Sequence, residues 1–175
     1  FFANFAVEPL SYLALYPEYK LTDEEQKAFL RDRKSFIAGR KLAKRFGWKI
    51  GDTIVLKGTI FPGNWEFVLR GIYKGKDKNT DESQFFFHWD YLNETLKKKT
   101  PGRADQVGFY MVGVAKPELS THVAIQIDKT FKNSIAETLT ETEKAFQMSF
   151  VSLSDAIITA IRLVSFVVII IILAV

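Results

Sequence analysis

The 175-residue sequence has no cysteine and only two histidines, His88 and His122. The first absence excludes disulfides, thiol nucleophiles and cysteine metal sites. The second leaves no H-E-x-x-H pair, and two histidines far apart in sequence with no ligand pattern around them read as packed or surface residues. Other chemical signatures are missing too. There is no G-x-S-x-G elbow, and Gly39 to Gly47, GRKLAKRFG, lacks the closing G-K-[ST] of a phosphate loop. The loop acids Asp77, Asp81 and Glu82 lack the glycine and final glutamate of a calcium loop. The expectation is a chain that is not itself an enzyme and carries no cofactor or metal.

Uncompensated charge of one sign is also scarce. Twenty-four basic residues face twenty acidic ones, a formal net charge of +4, and bases and acids interleave, as in KGKDKNTDES. Only Lys97, Lys98 and Lys99 form a run, which reads as a solvated loop, so no nucleic-acid partner is expected. Lysines beside a membrane can instead face anionic lipid head groups.

What the chain does have is a long apolar end. After Asp155 only Arg162 is charged, and Ala156 to Val175 supplies the roughly 20 residues that span about 30 Å of hydrocarbon. The spacing predicts a transmembrane helix over 156–175, cut off before its far end. A buried core helix would keep a polar face, yet Val164 to Val175 offers only Ser165. The opening FFANFAVEPLSYLAL has no initiator Met, and the natural protein is expected to extend at both ends.

No Gly or Pro interrupts Thr140 to Val175. Thr140 and Glu143 form a capping box, and Phe146, Phe150, Leu153, Ile157 and Ile161 then recur at spacings of three and four. This predicts a stalk helix over 140–155 whose face runs on into the membrane segment, stiff enough to transmit movement; simple anchoring is the plainer alternative.

The body, 1–139, alternates helix and strand signals and is expected to be an α+β, mixed α/β domain. Thr22 and Glu25 make a capping box for a helix carrying Phe29 and Leu30. SFIA reads as a strand, and Gly39 opens a short helix with Leu42, Ala43 and Phe46 on one face, stopped by Gly47. Gly51 and Asp52 turn into a strand with Ile54 and Leu56. Pro62-Gly63 then leads to NWEFVLRGIYKG, with Trp65, Phe67 and Leu69 on one face. QFFFHWDYL is a strand followed by a helix through Leu92 and Leu96; three consecutive aromatics suit a sheet covered on both sides, and an exposed lipid or partner contact around Phe85, Phe86, Phe87 and Trp89 is the alternative. VGFYMVGVA, 107–115, is strand-like, and ELSTHVAIQIDKTFKN is helical with Val123, Ile127 and Phe131 at spacing four.

FIAGRKLAKRFGWKIGDTIVLKG, then TETEKAF and SLSDAIITAIRLVSFVVIIIILAV, resembles the extracytoplasmic domain and following membrane helix of FtsX-like ABC transporter permeases, with a MacB-type periplasmic core domain. The resemblance covers nearly the whole chain. It implies an inner-membrane location, a separate cytoplasmic ABC ATPase, a homodimer or heterodimer of permeases, contact with membrane lipid, and a periplasmic adaptor as a further partner. It implies a transport role by mechanotransmission, in which ATP hydrolysis elsewhere moves the periplasmic domain for export or extraction of a substrate. The resemblance carries over no catalytic residues, so Gly39, Arg40, Leu42, Gly47, Gly51 and Asp52 stand as structural marks of a helix-to-strand turn. The alternative is a membrane-tethered extracytoplasmic sensor or receptor domain.

Overall fold

A computed structural model of the chain describes residues 2–146, 148 and 161–166. Two compact units divide at Tyr110/Met111.

The first unit is organised by β3 (Ser35–Gly39), every residue of which is buried. It pairs antiparallel with β6 (Phe85–His88) and parallel with the long β5 (Gly63–Gly75). β1 (Asn4–Val7) adds to β6 in parallel; β4 (Thr53–Gly58) and the short β2 (Tyr19–Lys20) add antiparallel to β5. The result is a six-stranded mixed sheet in the order β1-β6-β3-β5-β2, with β4 also on β5. The expected mixed α/β body is present.

A sheet covered on both faces needs strands that are apolar at consecutive positions, and β6 shows this directly. Phe85 and Phe87 join Phe36, Trp65, Phe67 and Leu69 in one core cluster, while Phe86 joins Val7, Leu13, Phe29, Ile37 and Tyr73 in the other. Phe36 and Phe85 stack with ring centroids 4.1 Å apart. The first cluster also takes Leu42 and Ala43 from α3 (Arg40–Phe46) and Leu92 from α4 (Trp89–Lys99). The second takes Leu13 of α1 (Pro9–Leu15) and Phe29 of α2 (Asp23–Arg31). The capping box of α2 forms as expected: the Glu25 amide donates to Thr22 Oγ1 at 3.2 Å and the Thr22 amide donates to Glu25 at 2.9 Å.

One irregularity lets β5 serve both clusters. Phe36 lies opposite Leu69 but Ile37 lies opposite Gly71, so Arg70 is an extra residue in the ladder. A bulge of this kind reverses the inside-outside alternation beyond it. Trp65, Phe67 and Leu69 therefore pack in the first cluster and Tyr73 in the second. Arg70 itself forks onto Asp32, at 3.1 and 2.9 Å.

Two local expectations are corrected. Lys97, Lys98 and Lys99 are the last turn of α4, not a loop, where cations offset the negative end of the helix dipole. Residues 107–115 form no strand; Val107, Tyr110 and Val112 are exposed, and strand propensity is realised only where a pairing edge and a covering face exist.

The second unit, 111–175, contains a 3-10 turn (Pro117–Leu119) and α5 (Ser120–Phe131). α5 is helical as expected, but Val123 and Ile127 are only half-buried and Phe131 is exposed. The cap expected at Thr140 lies two residues later: the Ala145 amide donates to Thr142 Oγ1 at 3.2 Å and the Phe146 amide to the Thr142 carbonyl at 2.9 Å. Thr140 instead donates its amide to Asp128, at 2.9 Å. Of the stalk-face residues, Phe146 and Ile161 are helical. Phe150, Leu153 and Ile157 lie outside the described residues, as does most of the span over 156–175. Among the described residues no helix is long and apolar enough to cross a membrane.

Candidate functional site

The segment singled out from sequence, Gly39 to Asp52, folds as a joint that ties α3 to both neighbours of the sheet. β3 ends at Gly39, which is the N-cap residue of α3. Its amide donates to the Gln84 carbonyl at 2.9 Å, and the Leu42 amide donates to the Glu82 carbonyl at 3.2 Å. The 81–84 segment thereby satisfies helix-start donors that have no partner inside the helix. A Cβ at position 39 would lie 2.1 Å from the Glu82 carbonyl oxygen. Only glycine allows this approach.

Arg40 reaches back to the same residue. Its Nε and Nη2 both donate to Glu82 Oε2, at 3.2 and 3.1 Å, while Glu82 Oε1 accepts the Gly75 amide at 2.9 Å. Glu82 is 5% exposed. A carboxylate so placed must be paired and hydrogen-bonded to stay charged. The Gly75 hydrogen bond first, and the Arg40 guanidinium with it, hold its carboxyl below the usual range despite burial. Three segments meet at this one side chain: the start of α3, the end of β5 and the loop before β6.

The other end of the joint is closed by backbone geometry. Gly47 adopts φ of 69° and caps α3, and the Trp48 amide returns to the Ala43 carbonyl at 2.9 Å. Gly51, at φ of 96°, donates its amide to Leu69 at 2.8 Å. Asp52 closes the turn as expected, its Oδ2 accepting the Lys49 amide at 2.8 Å, and its own carbonyl accepts the Leu69 amide at 2.9 Å. Leu42 is the buried anchor of α3. All six marked residues thus belong to one connected structure. Glu82, the residue that completes it, was not predicted, because its partner Arg40 is 42 positions away and no local pattern joins them.

His122 is exposed on α5, its Nε2 3.1 Å from the Gln126 side-chain nitrogen. His88 is buried with Nε2 2.8 Å from the Phe29 carbonyl and 3.4 Å from Ser35 Oγ, which itself donates to Phe29. With both groups aimed at one backbone carbonyl, Ser35 and His88 form a packing contact between α2, β3 and β6. Asp77 and Asp81 accept amides of their own loop, from Asn79 and Ser83. Among the described residues no group of three or more metal-capable side chains converges.

Two surface clefts are present in the first unit. One, of about 220 Å³, is bounded by Phe61, Trp89, Leu92, Leu96 and Arg103. Beside it Asn93 and Asp105 bond reciprocally, the Asn93 amide group to Asp105 Oδ1 at 2.8 Å and the Asp105 backbone amide to Asn93 Oδ1 at 2.7 Å. The other, of about 390 Å³, lies between Glu8, Leu10, Arg31, Arg33, His88 and Asp90. Glu8 there caps α1 and hydrogen-bonds the Ser11 hydroxyl, which chiefly lowers its pKa.

No family model and no curated protein matches the chain.

Proposed function

We propose that this chain is part of the permease subunit of an FtsX/MacB-like ABC transporter of the inner membrane. Its mixed α/β domain is extracytoplasmic, the apolar run over 156–175 enters the membrane, and a separate cytoplasmic ATPase supplies the energy. The permease works as a homodimer or heterodimer, with a periplasmic adaptor as a further partner. Hydrolysis in the ATPase moves the periplasmic domain for export or extraction of a substrate, and this chain performs no bond chemistry of its own.

The observation that carries the reading is the Gly39–Asp52 joint. The residues on which the resemblance rests are used to lock helix α3 between β3, β5 and the 81–84 segment, with Glu82 at the crossing. A domain that is pushed and pulled needs elements that move as one piece, and buried, fully hydrogen-bonded crossings resist local opening. The apolar run after Asp155 supplies the membrane connection.

The test is to express the full-length protein with its genetic neighbours, purify it in mild detergent through a tag on this chain, and identify companions by mass spectrometry. An ATPase near one copy per copy of this chain is expected. Its absence, even with nucleotide present to hold a closed state, overturns the reading.

A further inference from the structure

The turn between β4 and β5 carries an aliphatic side chain into solvent inside a group of cations. Ile60 is 72% exposed, with half-buried Phe61 beside it. The turn is held outward by its neighbours: Arg103 Nη1 donates to the Ile60 carbonyl at 2.9 Å, its guanidinium lies 4.7 Å from the Phe61 ring centroid, and Trp65 Nε1 donates to the Phe61 carbonyl at 2.9 Å. Lys99 Nζ sits 5.8 Å from the Trp65 ring centroid. Lys57 lies three residues before Ile60 on β4.

The acids beside the end of α4 are already taken. Lys97 pairs with Glu94 at 3.2 Å and with Asp105 at 3.1 Å. Lys57, Lys98, Lys99 and Arg103 form no ion pair among the described residues. Arg103 therefore touches the turn, Lys57 and Lys99 lie on or beside the strands that carry it, and Lys98 adjoins Lys99 at the end of α4, all four without an acidic partner among the described residues.

We propose that this tip, Lys57 to Pro62 with the end of α4 and Arg103, docks on an anionic lipid surface. An apolar residue entering the head-group boundary amid lysines and arginines is the arrangement that binds such surfaces, the cations supplying attraction and the apolar group depth. Protein interfaces are depleted of lysine, and three of the four cations here are lysines. The long lysine stems can lie along the membrane while their heads reach phosphate. The docking needs no ATPase and stands apart from the transport role.

The chain contains no cysteine, so a single spin label can be placed at Ile60→Cys, with a control label at exposed Lys27→Cys on α2. The whole chain is reconstituted in nanodiscs of phosphatidylcholine alone or with added phosphatidylglycerol. Lipid-soluble oxygen should relax the label at 60, and water-soluble nickel should lose access to it, only on anionic discs, with the effect reversed by high salt. Lys57→Gln and Lys98→Gln leave the turn's hydrogen bonds intact and should each lower the docked-to-undocked ratio about fivefold. A label at 60 equally open to water on both discs overturns the proposal. So does one shielded only when an acidic protein is added, or one shielded equally with and without the two lysines.

Discussion

Arg40 grips Glu82 with two nitrogens on one carboxylate oxygen, at 3.2 and 3.1 Å, leaving the other oxygen to the Gly75 amide. The Arg40 side chain is 60% exposed and the Glu82 side chain only 7%, so the guanidinium serves as a lid over a carboxylate whose essential partner is the backbone. Replacing Glu82 by alanine leaves the Gly75 amide without its acceptor, which costs about 1–3 kcal/mol. Arg40→Ala should cost less, since its head group can be replaced by water. Denaturant unfolding of the two variants, followed by tryptophan fluorescence, checks the order.

The same carboxylate sets a pH dependence. Because its folded pKa is below the ordinary value, the folded state holds this proton less tightly than the unfolded chain. The stabilisation is therefore complete above the usual glutamate range, and is lost as pH falls through that range to the lowered folded value. Unfolding midpoints between about pH 7 and about pH 3 should fall more steeply for the native chain than for Glu82→Gln. Parallel slopes would show that Glu82 does not couple protonation to folding.

Two glycines of the joint are required for different reasons, and alanine separates them. At Gly39 the added Cβ meets the Glu82 backbone at 2.1 Å, so α3 or the 81–84 segment must move, at about 1–3 kcal/mol or more. At Gly47 nothing lies within 4 Å of a Cβ, and the residue sits at φ of 69°. There the cost is the left-handed backbone alone, about 1 kcal/mol. Asparagine, which tolerates this region, should recover part of the loss at 47 and none at 39.

The two-faced sheet makes a third contrast. Phe85 and Phe86 are adjacent yet fully buried in different clusters. Each change to alanine should cost about 3–5 kcal/mol, where a half-exposed strand would tolerate one of them. Val55, 60% exposed on β4, should tolerate alanine within about 0.5 kcal/mol.

Much of this architecture was legible because it depends on short-range chemistry. The Thr22/Glu25 box, the stop at Gly47, the Asp52 turn and the alternation of Trp65, Phe67 and Leu69 are each decided within a few residues. What escaped depends on pairing across the chain. Arg70 became a bulge because of β3, and Glu82 acquired its role from Arg40 and Gly75. Residues 107–115 have strand composition but no strand, and the cap at Thr142 instead of Thr140 follows from Asp128 engaging the Thr140 amide. The candidate site divides the same way: its six marked residues were readable, and the buried carboxylate that joins them was not.

The most direct test of the central claim is a distance measurement on the assembled complex. A spin label at Lys27→Cys on each copy of the proposed permease dimer, in nanodiscs with the proposed ATPase, is compared without nucleotide and with ATP trapped by vanadate. The account predicts a shift in the label-to-label distance on trapping, abolished by an inactive ATPase. The same distance in both states, with ATP demonstrably bound, would contradict it.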